Sequence, residues 1–174
     1  MLQIITSIQQ LDFGQLMTVY RQSNSKLEES CYPKLDAVER RLEVEQDQYA
    51  FVRDFLRMPD AFIAVWSIEG TYQAALRAEP YSDGLLLEGV ETAPDSRRQG
   101  FAKRLVRETV KYLAERGNCR IYSHISKRNI PSIALHESCG FLKLYDHAVF
   151  VDGSVDHRTY TYIRQMNNEG AVVK

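Results

Sequence analysis

The segment from Val90 to Lys103, V-E-T-A-P-D-S-R-R-Q-G-F-A-K, holds residues whose types and spacing can do chemistry. An extended run ends in a proline-containing turn, and a loop with Gly100 then runs directly into a helical pattern. The first turn of a helix has backbone N–H groups with no intrahelical partner, and the helix dipole adds about half a positive charge there. That end suits an anion, and a diphosphate fits it well. Gly100 lets the main chain approach a phosphate with no Cβ in the way. Ala102 is small enough for the helix to lie close to a sheet, and Arg97, Arg98 and Lys103 add positive charge around the same point. The loop is not a Walker loop, because no G-x-x-x-x-G-K-[ST] exists, and it lacks the G-x-G-x-x-G triplet of a dinucleotide fingerprint.

Charge is segregated around this segment. Residues 1–96 carry 8 Lys/Arg against 16 Asp/Glu, whereas residues 97–128 carry 10 against 2. A basic block inside an otherwise acidic chain points to a local anionic ligand. A duplex-binding protein is more often basic throughout, so no nucleic-acid partner is expected. The longest apolar runs fall well short of the ~20 residues that span a bilayer, and the N-terminus has no basic n-region, so no membrane partner and a cytoplasmic location are expected. Cys31, Cys119 and Cys139 form no CxxC pair, and His124, His136, His147 and His157 have no metal-ligand spacing, so no metal is expected. Cys119, opening a strand, and Cys139, at a helix end, read as small core residues.

The elements that must position the loop follow from periodicity. Gln3 to Ile5 makes a short strand, and Asp12 caps a helix carrying Phe13, Leu16, Met17 and Tyr20. Ser23 to Pro33 is polar and reads as a loop, with Tyr32 in it. Leu35 to Leu56 reads as a helix of imperfect period, open to being broken in two. Ala61 to Ile68, Thr71 to Arg77 and Leu85 to Thr92 read as an antiparallel meander, with the turn-rich Pro80 to Gly84 before the third strand. Phe101, Ala102, Leu105, Val106, Thr109, Tyr112 and Leu113 share one helix face, and Gly117 ends that helix. Cys119 to Ser123 follows as a strand parallel to Leu85 to Thr92. A helix opens at Asn129 or Ile130 with Pro131 and stops at Gly140. Phe141 to Val151 is a strand, Asp152-Gly153 a hairpin signal, and His157 to Ile163 the returning strand. Residues 1–166 read as one domain, with 167–174 a frayed tail.

Two blocks carry a family resemblance. Arg97-Arg98-Gln99-Gly100-Phe101-Ala102 resembles the Q/R-x-x-G-x-G/A motif of the GNAT superfamily of acetyl-CoA-dependent N-acetyltransferases. Asn129 to Phe141, N-I-P-S-I-A-L-H-E-S-C-G-F, is similar to that family's N-x-x-S/A-x-x-L-Y/H-E-x-x-G-F helix. The blocks and the elements between them cover residues 84–145. The resemblance implies an α/β GNAT-like acyl-CoA N-acyltransferase fold, with a mixed central sheet of about seven strands and helices on both faces.

It also implies a site. The strand Leu85 to Thr92 and the strand at Arg120 to Ser123 would splay apart, with a bulge at Gly89 opening the gap. The pantetheine arm of acetyl-CoA would lie along Val90, Glu91 and Thr92. The diphosphate would meet Arg97, Arg98, Gln99, Gly100, Phe101, Ala102 and Lys103, with Asn129, Ser132 and His136 adding contacts to the coenzyme. The implied reaction is direct acetyl transfer to an amine of a small molecule, peptide or protein, with the Val90 N–H as oxyanion donor. His136 stands where the family often has Tyr, as acid or as coenzyme contact, and Tyr145 is the fallback acid. Glu88 is the favoured base, with Glu91 or a water chain as alternatives; strand alternation separates the two carboxylates unless Gly89 bulges. The polar stretch Ser23 to Pro33 would form the acceptor wall, and the acidic first part of the chain would steer a cationic amine. A CoA-binding module without catalysis is the rival reading, and a homodimer is compatible with the family although no interface is marked.

Overall fold

Small and branched apolar residues alternate along the central strands, and both faces of the sheet they build are covered. The computed structural model describes residues 1–118 and 120–166; Cys119 and the tail 167–174 lie outside the described residues. The strands are β1 (Leu2–Ile5), β2 (Phe62–Ile68), β3 (Thr71–Tyr81), β4 (Gly84–Thr92), β5 (Arg120–Ser126), β6 (Leu142–Tyr145), β7 (Ala148–Val149), β8 (Val155–Asp156) and β9 (Thr159–Gln165). The helices are α1 (Phe13–Val19), α2 (Arg21–Cys31), α3 (Ala37–Phe55), α4 (Phe101–Ala114) and α5 (Ile130–Ser138). Seven strands form one mixed sheet in the order β1-β2-β3-β4-β5-β9-β6. β1 to β4 are antiparallel, β4 and β5 are parallel, and β9 runs antiparallel between β5 and β6.

The two sheet faces have separate cores. One is Leu76, Leu85, Leu87 and Ile121 under Phe101, Leu105, Val106, Val110 and Leu113 of α4. The other is Ile63, Val65 and Ala75 under Leu16, Val19, Val52 and Phe55 of α1 and α3. Truncating any of the large ones to alanine costs about 2–5 kcal/mol. The meander, the parallel crossover through α4 and the mixed seven-stranded sheet match expectation. Asp12 caps α1, its Oδ1 accepting from the Gln15 N–H at 3.0 Å.

Three local expectations need correction, and one left open is settled. Ser23 to Pro33 is not a loop: α2 fills most of it. Gln22, Lys26, Leu27, Glu28 and Glu29 are good helix formers, and Ser25 turns its hydroxyl onto the Arg21 carbonyl at 2.9 Å, leaving the backbone ladder intact. Leu35 to Leu56 is not broken; α3 is continuous and starts in a capping box between Asp36 and Glu39. Pro80 and Tyr81 continue β3, and only Ser82 and Asp83 turn, Ser82 with φ +52°. Phe141 to Val151 is two strands, because the chain bends at Asp146 and His147. β7 then pairs with β8 across Asp152-Gly153, beside the main sheet.

Candidate active site

β4 carries Gly89 at φ +60°. Arg77 faces Glu88 and Ala75 faces Glu91, so Gly89 and Val90 together oppose the single residue Leu76. This is a bulge, and a glycine supplies its left-handed residue without strain. The buried Tyr20, between α1 and α2, fixes it, its hydroxyl donating to the Gly89 carbonyl at 2.7 Å. The extra residue shifts the alternation, so Glu88 and Glu91 fall on the same face of β4. The condition attached to these two carboxylates is therefore met.

β4 leaves β5 ahead of the bulge. The two strands pair at Leu85↔Ile121 and Leu86↔Tyr122 and then diverge. The gap is a cleft of about 830 Å³. Glu88 to Thr92 form one side and Ser123 to Ser126 the other. Asn129, Pro131, Ser132 and His136 of the α5 region close one end, while Gln22, Ser23 and Lys26 of α2 overhang it. Backbone freed from strand pairing offers N–H and C=O groups that an amide-bearing ligand can satisfy.

The loop into α4 continues from this cleft. Arg97 lines it, and Arg98 follows at φ +60°. Gly100 is the N-cap at φ +81°, and no side chain caps the first turn. The N–H groups of that turn therefore stay available to an anion. Arg98, Gln99 and Gly100 are exposed, whereas the Phe101 ring is buried under the sheet, so Phe101 can meet a ligand only through its main chain. Ala102 and Lys103 are half-buried on the same turn.

α5 carries the second block. Asn129 is its N-cap, Oδ1 accepting from the Ser132 N–H at 3.2 Å. His136 is 1% exposed. Its Nδ1 lies 2.8 Å from the Ser132 carbonyl, and its Nε2 lies 3.2 Å from the Ser123 hydroxyl. A carbonyl only accepts, so Nδ1 carries the hydrogen and Nε2 accepts from Ser123. Burial holds this imidazole below its ordinary pKa, with the Ser132 bond opposing, so it is neutral at pH 7. Tyr145 is not brought to the cleft. It sits on β6, 53% exposed and stacked on His147.

The carboxylates differ in their surroundings. Glu91 accepts from the Ser23 hydroxyl of α2. Burial raises its pKa, and the Ser23 bond and the charges of Arg97, Lys26 and Arg77 oppose that rise. Glu88 faces Arg77 at 4.0 Å. Beside it, Glu79 of β3 is pushed up to about 7 by burial and by the neighbouring Glu88 carboxylate. Sequence reasoning missed Glu79, Arg77, Tyr20 and Ser123, and gave His124 no role. A face count along β5 exposes the last two: Ile121, Ser123 and Ile125 go to the α4 side, and Tyr122 and His124 to the other. Cys139 is a buried core residue, as expected.

A mixed sheet that splits beside a glycine-led, uncapped helix defines a class of fold. The model of the Acetyltransferase (GNAT) family matches residues 22–141, and the chain belongs to that family of N-acetyltransferases. Among curated proteins, no sequence matches. Solved structures share the fold at low identity. The PaiA N-acetyltransferase from Thermoplasma acidophilum, solved with coenzyme A, superposes with a TM-score of 0.65 at 14% identity, over 95% of this chain and 99% of that one. The ribosomal-protein-S18-alanine N-acetyltransferase from Escherichia coli gives 0.62 at 17% identity, over 99% and 100%. The ribosomal-protein-alanine N-acetyltransferase from Brucella melitensis gives 0.64 at 18% identity, over 94% and 99%. Among the described residues, no helix is long and apolar enough to cross a membrane.

Proposed function

We propose that this enzyme transfers the acetyl group of acetyl-CoA directly to a primary amine of a small molecule, peptide or protein. The observation that carries the reading is the divergence of β4 and β5 after Leu86↔Tyr122, next to a helix whose first turn has no side-chain cap. A long ligand with amides at one end and a diphosphate at the other matches that pair of features. The CoA bound by the Thermoplasma relative is consistent with it.

In this reading Val90, Glu91 and Thr92 hold the pantetheine arm. The main chain from Arg98 to Lys103 holds the diphosphate, with the Arg97 charge beside it. Asn129 and Ser132 act at the other wall. The amine attacks the thioester carbonyl carbon, the Val90 N–H stabilises the oxyanion, and the C–S bond breaks to release CoA. Glu88 draws the acceptor's proton. It is favoured over Glu91 because the Glu91 carboxylate is already engaged by Ser23. His136 has its one N–H committed to Ser132, so its role is to orient the Ser123 hydroxyl and α5 rather than to donate to the leaving sulfur. The carboxylates Glu88 and Glu91 favour a cationic acceptor, steered by charge.

The test is release of free thiol from acetyl-CoA in the presence of amines of differing charge. Amine-dependent release supports the reading. Saturable CoA binding with no release from any amine would favour the non-catalytic module.

A further inference from the structure

Part of the basic block stands away from the first turn of α4. At 1.5 Å of rise per residue, Arg107 and Lys111 lie about 10 and about 16 Å along the helix from Gly100. With Val110 and Ala114 they form one stripe of α4, at spacings of three and four residues. That stripe lines a pocket of about 520 Å³. Its other wall is the end of α5, Ser138 to Gly140, together with Arg164 of β9 and Met166 just after it. The pocket shares no lining residue with the cleft between β4 and β5.

Arg164 is held in place there without being answered. A Cβ on Gly140 would lie 3.2 Å from the Arg164 guanidinium carbon, so the glycine leaves the room that this side chain uses. Nε of Arg164 is closed to solvent and has no hydrogen-bond partner among the described residues. Buried polar atoms are nearly always bonded, so this N–H calls for an explanation. No carboxylate among the described residues pairs with Arg164 or Arg107. Glu137 of α5 is engaged by the Tyr162 hydroxyl at 3.0 Å, and Glu115 faces Lys111 at 4.0 Å. The negative end of the α5 dipole suits one cation. It does not account for three. Burial lowers the Arg164 pKa and the Arg107 charge pushes the same way, with Cys139 opposing. Like charges gathered around a concave site are relieved by an anion.

We propose that this pocket binds a small organic phosphate monoester, a ligand separate from both the acetyl donor and the amine. The guanidinium groups of Arg164 and Arg107 meet the phosphate, because planar forks of N–H donors match its oxygens. Lys111 adds charge at the rim. Val110, Ala114 and Met166 take the apolar part of the ligand. A pocket of this volume suits an organic molecule rather than a bare ion. The inference goes beyond the acetyl-transfer reading and does not draw on it, since it needs only the three cations and the cavity between them.

The probes are phenyl phosphate and inorganic phosphate, titrated calorimetrically into the intact protein, alone and saturated with CoA. The expected result is saturable binding of one phenyl phosphate per CoA-saturated chain, tighter than that of inorganic phosphate. Arg164→Gln and Arg107→Gln should each weaken it about tenfold. Arg41→Gln, which removes the same charge from α3, should leave it within about twofold. Arg107 is exposed, so its variant keeps the test decisive where Arg164→Gln does not fold. No saturable binding, equal binding in Arg107→Gln and Arg41→Gln, or displacement of phenyl phosphate by CoA would overturn the proposal. A wild type that takes up no CoA would instead count against the acetyl-transfer reading, and the arginine variants still decide the pocket.

Discussion

The Ser123 hydroxyl and Nε2 of His136 lie 3.2 Å apart, joining β5 to α5 at the closed end of the cleft. Because Nδ1 is held by the Ser132 carbonyl, Nε2 of the neutral ring accepts from Ser123, and protonation of the ring would reverse that bond. Burial lowers the folded-state pKa of His136 below 6.5. Between that lowered value and 6.5 the unfolded chain binds a proton that the folded chain does not, so stability falls as pH drops through this window. His136→Gln should flatten the fall. Urea unfolding of both proteins at pH 7.5 and pH 5.5 checks it, with the difference between them shrinking in the variant.

Glu79 gives the opposite sign. Its folded-state carboxyl is raised from 4.5 to about 7. Between those values the folded chain holds a proton that the unfolded chain has released, so this group's contribution is lost as pH rises from about 4.5 to about 7. Glu79→Gln should gain on the wild type at pH 8 and not at pH 4.5. Denaturant midpoints at the two pH values measure it.

Gly89→Ala tests the bulge. The added Cβ would lie 3.3 Å from the Arg77 guanidinium carbon and 3.4 Å from the Tyr20 hydroxyl, at φ +60°. The left-handed residue alone costs about 1–2 kcal/mol. The expected outcome is a modest loss in thermal stability with a much larger loss of acetyl transfer, because the Glu88 and Val90 positions depend on the bulge.

Gly100→Ala separates conformation from contact. At φ +81° a Cβ there meets nothing within 4 Å, so packing is unaffected. Stability should fall by about 1–2 kcal/mol from backbone strain, and acetyl-CoA affinity should fall as well because, in the proposed reading, the methyl would sit where the diphosphate approaches. Unfolding and calorimetric titration on the same preparation read both effects.

Much of this was legible before the structure. The meander, the amphipathic α4 and the Gly100 turn follow from local periodicity and from glycine's conformational freedom, and the family match covers both blocks. α2 was not legible, because its packing against α3 and its Ser23 bond to Glu91 are long-range and its sequence is polar. The split of Phe141 to Val151 was hidden because an apolar run does not mark where a chain changes sheets. His136 was singled out by position, but its tautomer depends on Ser132 and Ser123, which only folding brings to it. Glu79 and Arg77 became site neighbours through β3–β4 register, which runs unbroken from the Ser82-Asp83 turn as far as Arg77↔Glu88.

The central claim is that the gap between β4 and β5 and the first turn of α4 together hold one acetyl-CoA. Calorimetric titration of acetyl-CoA into the intact protein tests it most directly. The expected result is a saturable 1:1 isotherm, competed by CoA and weakened in Gly100→Ala. Absence of saturable binding, or binding indifferent to Gly100→Ala, would contradict the account.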